Sequence, residues 1–420
     1  KLIPKIINNA FKLALTQRQG PVHINLPRNI LSNTHKFDKF QASKIKKPSA
    51  ISKKNINKIF NLISLSKKPV IIAGGGIKNS GNYKEVVKLS KFLKIPIVAS
   101  AGHGDAIPFN QILYAGQMGP RGNPIASKLV QKADLIIALG TRLGFNSTFY
   151  SYKNISKHAK IIQVDTDQNS IGRYFPITLG ICNDVKNLVS ELNLLKQKNK
   201  YVPNCNEWTK NFIEQKKIYI KHRDKNADIK SSPIQPSGLF KKLRDVFPSN
   251  SLVTLDAGTL CLQATDMLNF KNPRSLFTPL DFGLVGFSFA CGLGVKLARP
   301  ECPVFSLMGD GGFGMTVSEL STAVKHNINT ITLVMNNQSW GAEKAYQRDF
   351  YNKRYIGADI KSPPFEKLAE IYGAKGYKVN KLSNLEKIIK KALKCNKPAV
   401  INIEMDPDAL YSFRKDSFKH

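Results

Sequence analysis

Short apolar runs recur along most of the chain, and each is followed by a loop rich in Gly, Asp, Asn or Pro. Pro69–Ala73, Ile95–Ala99, Leu135–Leu139 and Ile161–Asp165 form one group, and Leu252–Leu255, Val304–Met308, Ile331–Met335 and Ala399–Ile403 form another. Helical periodicity lies between them, for example over Tyr83–Leu93 and from about Val317 to Lys325. Strands that are apolar at every position are buried on both faces. Alternation of such strands with helices predicts an α/β fold of doubly wound parallel sheets. Residues 197–235 are polar and interrupted by Pro233, which predicts a long connection between two α/β units at 51–196 and 236–420. At the start, Ile6, Ile7, Ala10, Phe11 and Leu15 make a helical stripe, Gln19-Gly20-Pro21 breaks it, and Val22–Leu26 alternates like a strand before Pro27. One helix and one strand cannot bury a core, so residues 1–32 are expected to complete a domain whose body lies elsewhere. Residues 33–50 read as a Lys-rich linker.

The chain has 420 residues, 42% of them hydrophobic, enough for more than one core. No run approaches the ~18 apolar residues of a membrane span. The opening Lys1–Ile7 is too short for a signal peptide and lacks an initiator Met, so the chain is expected to begin mid-protein. Net charge is +35, which raises a nucleic-acid partner as one reading. The lysines are spread along the chain beside Asn and Ile, and no stretch interleaves basic and aromatic residues, so a solvated surface that mildly attracts anions is preferred. The six cysteines form no CxxC pair and cluster with no His. That disfavours zinc or a disulfide framework and fits a reducing cytoplasm. Gly74-Gly75-Gly76, after the first strand, lacks the GxGxxG spacing and is read as a tight turn rather than a dinucleotide cradle.

The chemistry concentrates in Gly309-Asp310-Gly311-Gly312 and Asn336-Asn337-Gln338-Ser339, where Asp310 and Asn337 stand 27 positions apart. That separation is one strand–helix–strand step, which sets the two strand ends side by side. A carboxylate, an amide oxygen and a nearby backbone carbonyl then form an all-oxygen half-shell suited to a hard cation such as Mg2+, with room for phosphate oxygens. Gly311 and Gly312 would let backbone N–H groups approach those phosphates. The plainer alternative is that Asp310 caps a helix and the glycines make a turn.

This pattern resembles the signature of the thiamine-diphosphate-dependent enzymes of the acetolactate synthase and pyruvate oxidase family, which runs from GDG to NN. The resemblance implies that Asp310, the Asn337 side chain and the Ser339 carbonyl ligate Mg2+, with Gly309, Gly311 and Gly312 beside the diphosphate of thiamine diphosphate. Asp256-Ala257-Gly258-Thr259 looks like the family's other diphosphate loop, with a helix cap by Asp256 as the alternative. Phe282–Gly286 resembles the segment under the thiazolium ring, placing Gly283 in that loop and Val285 against the ring, with ordinary core packing as the alternative. Gly20–Arg28 looks like the end of the family's pyrimidine-binding domain, and 51–196 resembles its central Rossmann-like domain. That domain binds FAD in some members; nothing here supports FAD. Residues 236–420 would be the diphosphate-binding domain.

Within the family, Trp340–Arg354, His103–Ala106 and Phe413–Asp416 are more similar to sulfoacetaldehyde acetyltransferase than to acetolactate synthase. The implied reaction converts sulfoacetaldehyde and phosphate into acetyl phosphate and sulfite, the cofactor serving as electron sink. Lys344, Arg348, Arg354 and Arg414 are candidates for holding the anionic substrate or phosphate, and each also reads as a solvated surface charge. A decarboxylase or oxidase acting on a 2-keto acid is the rival enzyme reading, and a basic binding module the non-enzyme one. The family's activating glutamate belongs to the pyrimidine-binding domain. The resemblance therefore implies a chain inactive by itself and a full-length homodimer or homotetramer.

Overall fold

A computed structural model of the chain describes residues 2–16, 18–36, 50–120, 122–195 and 204–411. Two six-stranded sheets, wholly parallel, carry the architecture. The first contains β1 (Pro69–Ala73), β2 (Ile97–Ala99), β3 (Tyr114–Gln117), β4 (Leu135–Leu139), β5 (Lys160–Asp165) and β6 (Leu179–Cys182), in the order β3-β2-β1-β4-β5-β6. The second contains β7 (Leu252–Leu255), β8 (Leu276–Phe277), β9 (Val304–Gly309), β10 (Ile331–Asn336), β11 (Lys375–Val379) and β12 (Ala399–Glu404), in the order β11-β12-β10-β9-β7-β8. β1, β4, β7 and β10 are buried along their whole length, as their unbroken apolar runs require. Helices cover both faces of each sheet and close separate cores. The α/β, doubly wound reading holds.

Two expectations fail. Residues 22–26 form no strand, and Val22 and Leu26 are exposed. A lone strand needs a ladder partner, and none of the described residues supplies one. The helix before it, Ile3–Leu15, does form but buries none of its residues. The expected connection over 197–235 also contains a 21-residue helix, Asn206–Asn226. Its packing face is narrow and partly polar. Phe212 is buried among the residues under the first sheet, and the Trp208 indole donates to the Pro69 carbonyl at 3.1 Å. Of the expected linker at 33–50, residues 37–49 lie outside the described residues.

That helix also fastens the two sheets together. Arg223 is buried, and its Nη1 donates to the Asp266 carbonyl at 2.6 Å. The Tyr219 hydroxyl donates to Asp266 Oδ2 at 2.6 Å. Asn123, which caps the helix Pro124–Lys132 of the first unit, donates its Nδ2 to Asp266 Oδ1 at 2.7 Å. Asp266 belongs to the helix Thr259–Met267 after β7. A second tie runs from the loop after β2, where buried Asp105 accepts from the backbone N–H groups of Ser275 and Leu276 and pairs with Lys78 at 3.0 Å. A buried carboxylate needs such donors, because leaving it unpaired would cost several kcal/mol.

Candidate functional site

In the second sheet the chain runs from β7 outward to β8 and then returns to the other side of β7 to lay down β9. This reversal opens a crevice at the carboxyl ends of the strands, the usual ligand position in such sheets. Registry puts Leu255 beside Leu307 and Gly309 beside Met335. Asp256, Asp310 and Asn337 therefore emerge next to one another.

The helix expected from about Val317 starts earlier, at Asp310, runs to Thr316 and continues through a tight turn into Leu320–Lys325. Gly309 is its N-cap and Asp310 its first residue, where the helix dipole favours a carboxylate. Gly311 and Gly312 lie inside the helix for lack of room. A Cβ on Gly311 would sit 2.7 Å from the Trp340 ring, and one on Gly312 2.3 Å from Asp256 Oδ2. Gly258, the N-cap of Thr259–Met267, and Gly309 are different, because each faces open space with an ordinary φ.

The structure brings Asp310, Asn337 and Ser339 together. One end of the Asn337 amide lies 3.3 Å from Asp310 Oδ1 and 3.0 Å from the Ser339 carbonyl, and the other end lies 3.1 Å from Ser339 Oγ. With the amide nitrogen turned toward the first two oxygens, the cluster satisfies itself. With the amide oxygen turned there, three oxygens converge, an arrangement that a bound cation would relieve. A carboxylate, an amide and a carbonyl are the donor set of a hard divalent ion, so these residues fit Mg2+. Burial raises the Asp310 pKa, while the Ser362 hydroxyl and nearby backbone N–H groups oppose the rise.

The Asp256 carboxylate is met by backbone donors from the segment around Gly286. Its oxygens accept from Gly286 N at 3.0 Å and Ser288 N at 3.3 Å, so it caps the helix Phe287–Ala298 rather than the one that follows it. Burial raises its pKa as well. A carboxylate occupied in this way orients the crevice wall, beside Gly258, which faces open space, and buried Thr259. Thr259 Oγ1 would be 3.8 Å from a Cβ on Gly341, just past the Asn337 loop. Gly283 adopts a left-handed φ of 76° in open space. Val285 is 39% exposed and lies beside Gly312, so ordinary core packing does not describe it. An open pocket of about 710 Å3 extends from it past Phe277, Phe287, Cys291 and Thr316.

The basic residues that the structure describes are held by neighbouring groups or lie at the surface. Lys344 pairs with Asp359 at 2.6 Å. Arg348 donates to both Asp349 oxygens, at 2.8 and 3.2 Å, and to the Leu410 carbonyl at 2.9 Å. Both charges have carboxylate partners, Lys344 in the exposed Asp359 and Arg348 in the adjacent Asp349. Arg354 stays at the surface, and Arg414 lies outside the described residues. Ser362 was not anticipated. Its hydroxyl donates to Asp310 Oδ2 at 2.7 Å from 52 positions away, and no local pattern marks it. No helix among the described residues is long and apolar enough to cross a membrane.

A parallel sheet with an oxygen cluster and two open glycine N-caps at its switch point marks an α/β protein with a polar crevice, and the chain belongs to the thiamine pyrophosphate-dependent enzymes. Residues 256–403 match the C-terminal TPP-binding domain of these enzymes and residues 56–192 match their central domain. An acetolactate synthase large subunit of Buchnera aphidicola subsp. Schizaphis graminum is 32% identical, covering 93% of this chain and 69% of that protein. Sulfoacetaldehyde acetyltransferases are comparably similar. The one from Castellaniella defragrans is 29% identical over 95% of this chain and 70% of its own length, and the one from Alcaligenes xylosoxydans xylosoxydans 29% over 99% and 73%.

Proposed function

We propose that the protein catalyses thiamine-diphosphate-dependent acyl transfer, converting sulfoacetaldehyde and phosphate into acetyl phosphate and sulfite. The observation that carries the cofactor reading is the convergence of Asp310 Oδ1, the Asn337 amide and the Ser339 carbonyl. In this reading they hold Mg2+, and Gly258, Thr259, Gly309, Gly311 and Gly312 line the diphosphate. The bound cofactor supplies an electron sink for a carbanion at the substrate carbonyl carbon. The chain's own part is positional. Backbone N–H groups at the two helix starts face the anion, Asp256 fixes the Gly286 turn, and Val285 with Gly283 forms the wall beside the ring.

The choice of substrate rests on the likeness of Trp340–Arg354 to sulfoacetaldehyde acetyltransferase. The second reading, acetolactate formation from a 2-keto acid, is favoured by the equal similarity to acetolactate synthases. Phe282, Leu284, Met315 and Ile356 are exposed, and this apolar rim supports a homodimer or homotetramer in which a second copy covers the site. Product analysis on the full-length protein with thiamine diphosphate and Mg2+ decides the substrate. Sulfite and acetyl phosphate from sulfoacetaldehyde plus phosphate are expected, and CO2 released from pyruvate without sulfite would hand the assignment to the second reading.

A further inference from the structure

The segment after the helix Gly341–Phe350 returns across the Asn337–Ser339 loop as an extended strap. Trp340 N donates to the Ala358 carbonyl at 2.7 Å, and Ile360 N donates to the Gln338 carbonyl at 3.0 Å. Ser339 and Asp359 form an isolated antiparallel bridge. Gln338, held at a left-handed φ of 57°, is tied by its side chain as well. Its Nε2 donates to Asn336 Oδ1 at 2.8 Å, and its Oε1 accepts from Ser362 N at 3.0 Å. The strap ends at Ser362, whose hydroxyl reaches Asp310 Oδ2 at 2.7 Å.

We infer that Ser362 is a positioning residue for the cation site: by donating to Asp310 Oδ2 it fixes the carboxylate plane, so that Oδ1 stays turned toward Asn337 and Ser339. The inference rests on the Mg2+ reading above and deepens it. A buried carboxylate on a short side chain turns about its Cβ–Cγ bond unless its outer oxygen is held, and residues that orient a ligand from behind typically change metal affinity about 10- to 100-fold when removed. The remaining contacts of the strap reach the loop through backbone groups and Gln338. Ser362 gives Asp310 the strap's side-chain hydrogen bond, so the hydroxyl can be removed without dismantling the strap.

The test is calorimetric titration of MgCl2 into the full-length protein saturated with thiamine diphosphate, with melting temperatures recorded without ligand. Ser362→Ala is expected to raise the Mg2+ Kd at least about tenfold, and the ligand-free melting temperature, which reports the lost hydrogen bond to a buried carboxylate, is expected to fall modestly. Ser362→Thr, which keeps the hydroxyl, is expected to restore the parental Kd. Parental Mg2+ affinity in Ser362→Ala would overturn the positioning role and leave the cation site standing. An equal loss of affinity in Ser362→Thr and Ser362→Ala would also overturn it, because the hydroxyl would then not be the cause. Absence of Mg2+ binding by the parent protein would overturn the cation reading and this inference together.

Discussion

The two sheets share strand number, parallel pairing and helical cover, yet their carboxyl ends are built to different purposes. In the first, glycines let backbone meet backbone. Gly140, at a φ of 60°, lies so close to Gly76 that a Cβ on it would stand 2.5 Å from the Gly76 Cα, and Gly74 N donates to the Leu139 carbonyl at 2.9 Å. In the second, Gly258 and Gly309 touch nothing where a side chain would go. The first set of glycines serves the fold, and the second keeps space that the fold itself does not use. The neighbouring polar groups follow the same division. Beside the first sheet, Arg142 pairs with Asp281 at 3.1 Å across to the other unit, whereas beside the second Asp310, Asn337 and Ser339 converge within one unit, the Asn337 amide lying 3.3 Å from Asp310 Oδ1 and 3.0 Å from the Ser339 carbonyl.

The sharpest way to break this contrast is to add one methyl group to each sheet. Gly140→Ala should lower stability by about 3 kcal/mol, combining left-handed strain with overpacking. Gly309→Ala should leave ligand-free denaturant unfolding unchanged and abolish stabilisation by thiamine diphosphate and Mg2+. Equal loss of stability in both variants would erase the distinction. A smaller effect is expected at Asp310. Its pKa is raised by burial, so the folded state holds the proton more tightly than the unfolded chain. Its ionised form therefore opposes folding as pH rises above the ordinary carboxylate value. Asp310→Asn should hold or raise ligand-free stability at neutral pH. It should also remove the cofactor-dependent gain, about 2.7 kcal/mol for the parent at a hundredfold ligand excess. Thermal unfolding with and without ligand reads both effects, and a retained gain would detach Asp310 from the site.

The smallest expected effect belongs to the first sheet. His103 is half-buried, and desolvation first, then the charge of Lys78, lowers its pKa. The unfolded chain takes up a proton as pH falls through the ordinary value of 6.5 while the folded chain does not, so stability is lost below that point. His103→Gln should flatten this decline in urea unfolding compared between pH 7.5 and about pH 5.5. An unchanged slope would mean that the loop after β2 contributes nothing to acid sensitivity.

What was legible in the sequence follows from position in the sheets. Central strands such as β1, β4, β9 and β10 are covered on both faces, and their apolar runs announce them. β3, β6, β8 and β11 went unread, and all four are sheet edges, where strands are short or mixed with polar residues, as in Lys375–Val379. The Asn206–Asn226 helix was hidden because its packing side includes a buried arginine instead of a continuous apolar stripe. At the site, the proximity of Asp310 and Asn337 was readable because one strand–helix–strand step fixes it. Ser362 was not, since an irregular strap carries it there and periodicity says nothing about where such a strap ends.

A 21-residue helix anchored in both halves of the molecule leaves little freedom for the halves to swing apart. To widen the crevice by rigid rotation, the protein would have to pull Arg223 and Tyr219 off Asp266. Any opening of the crevice therefore falls to local rearrangement, and the exposed turn around Phe282 and Leu284 has the fewest packing constraints on such a change.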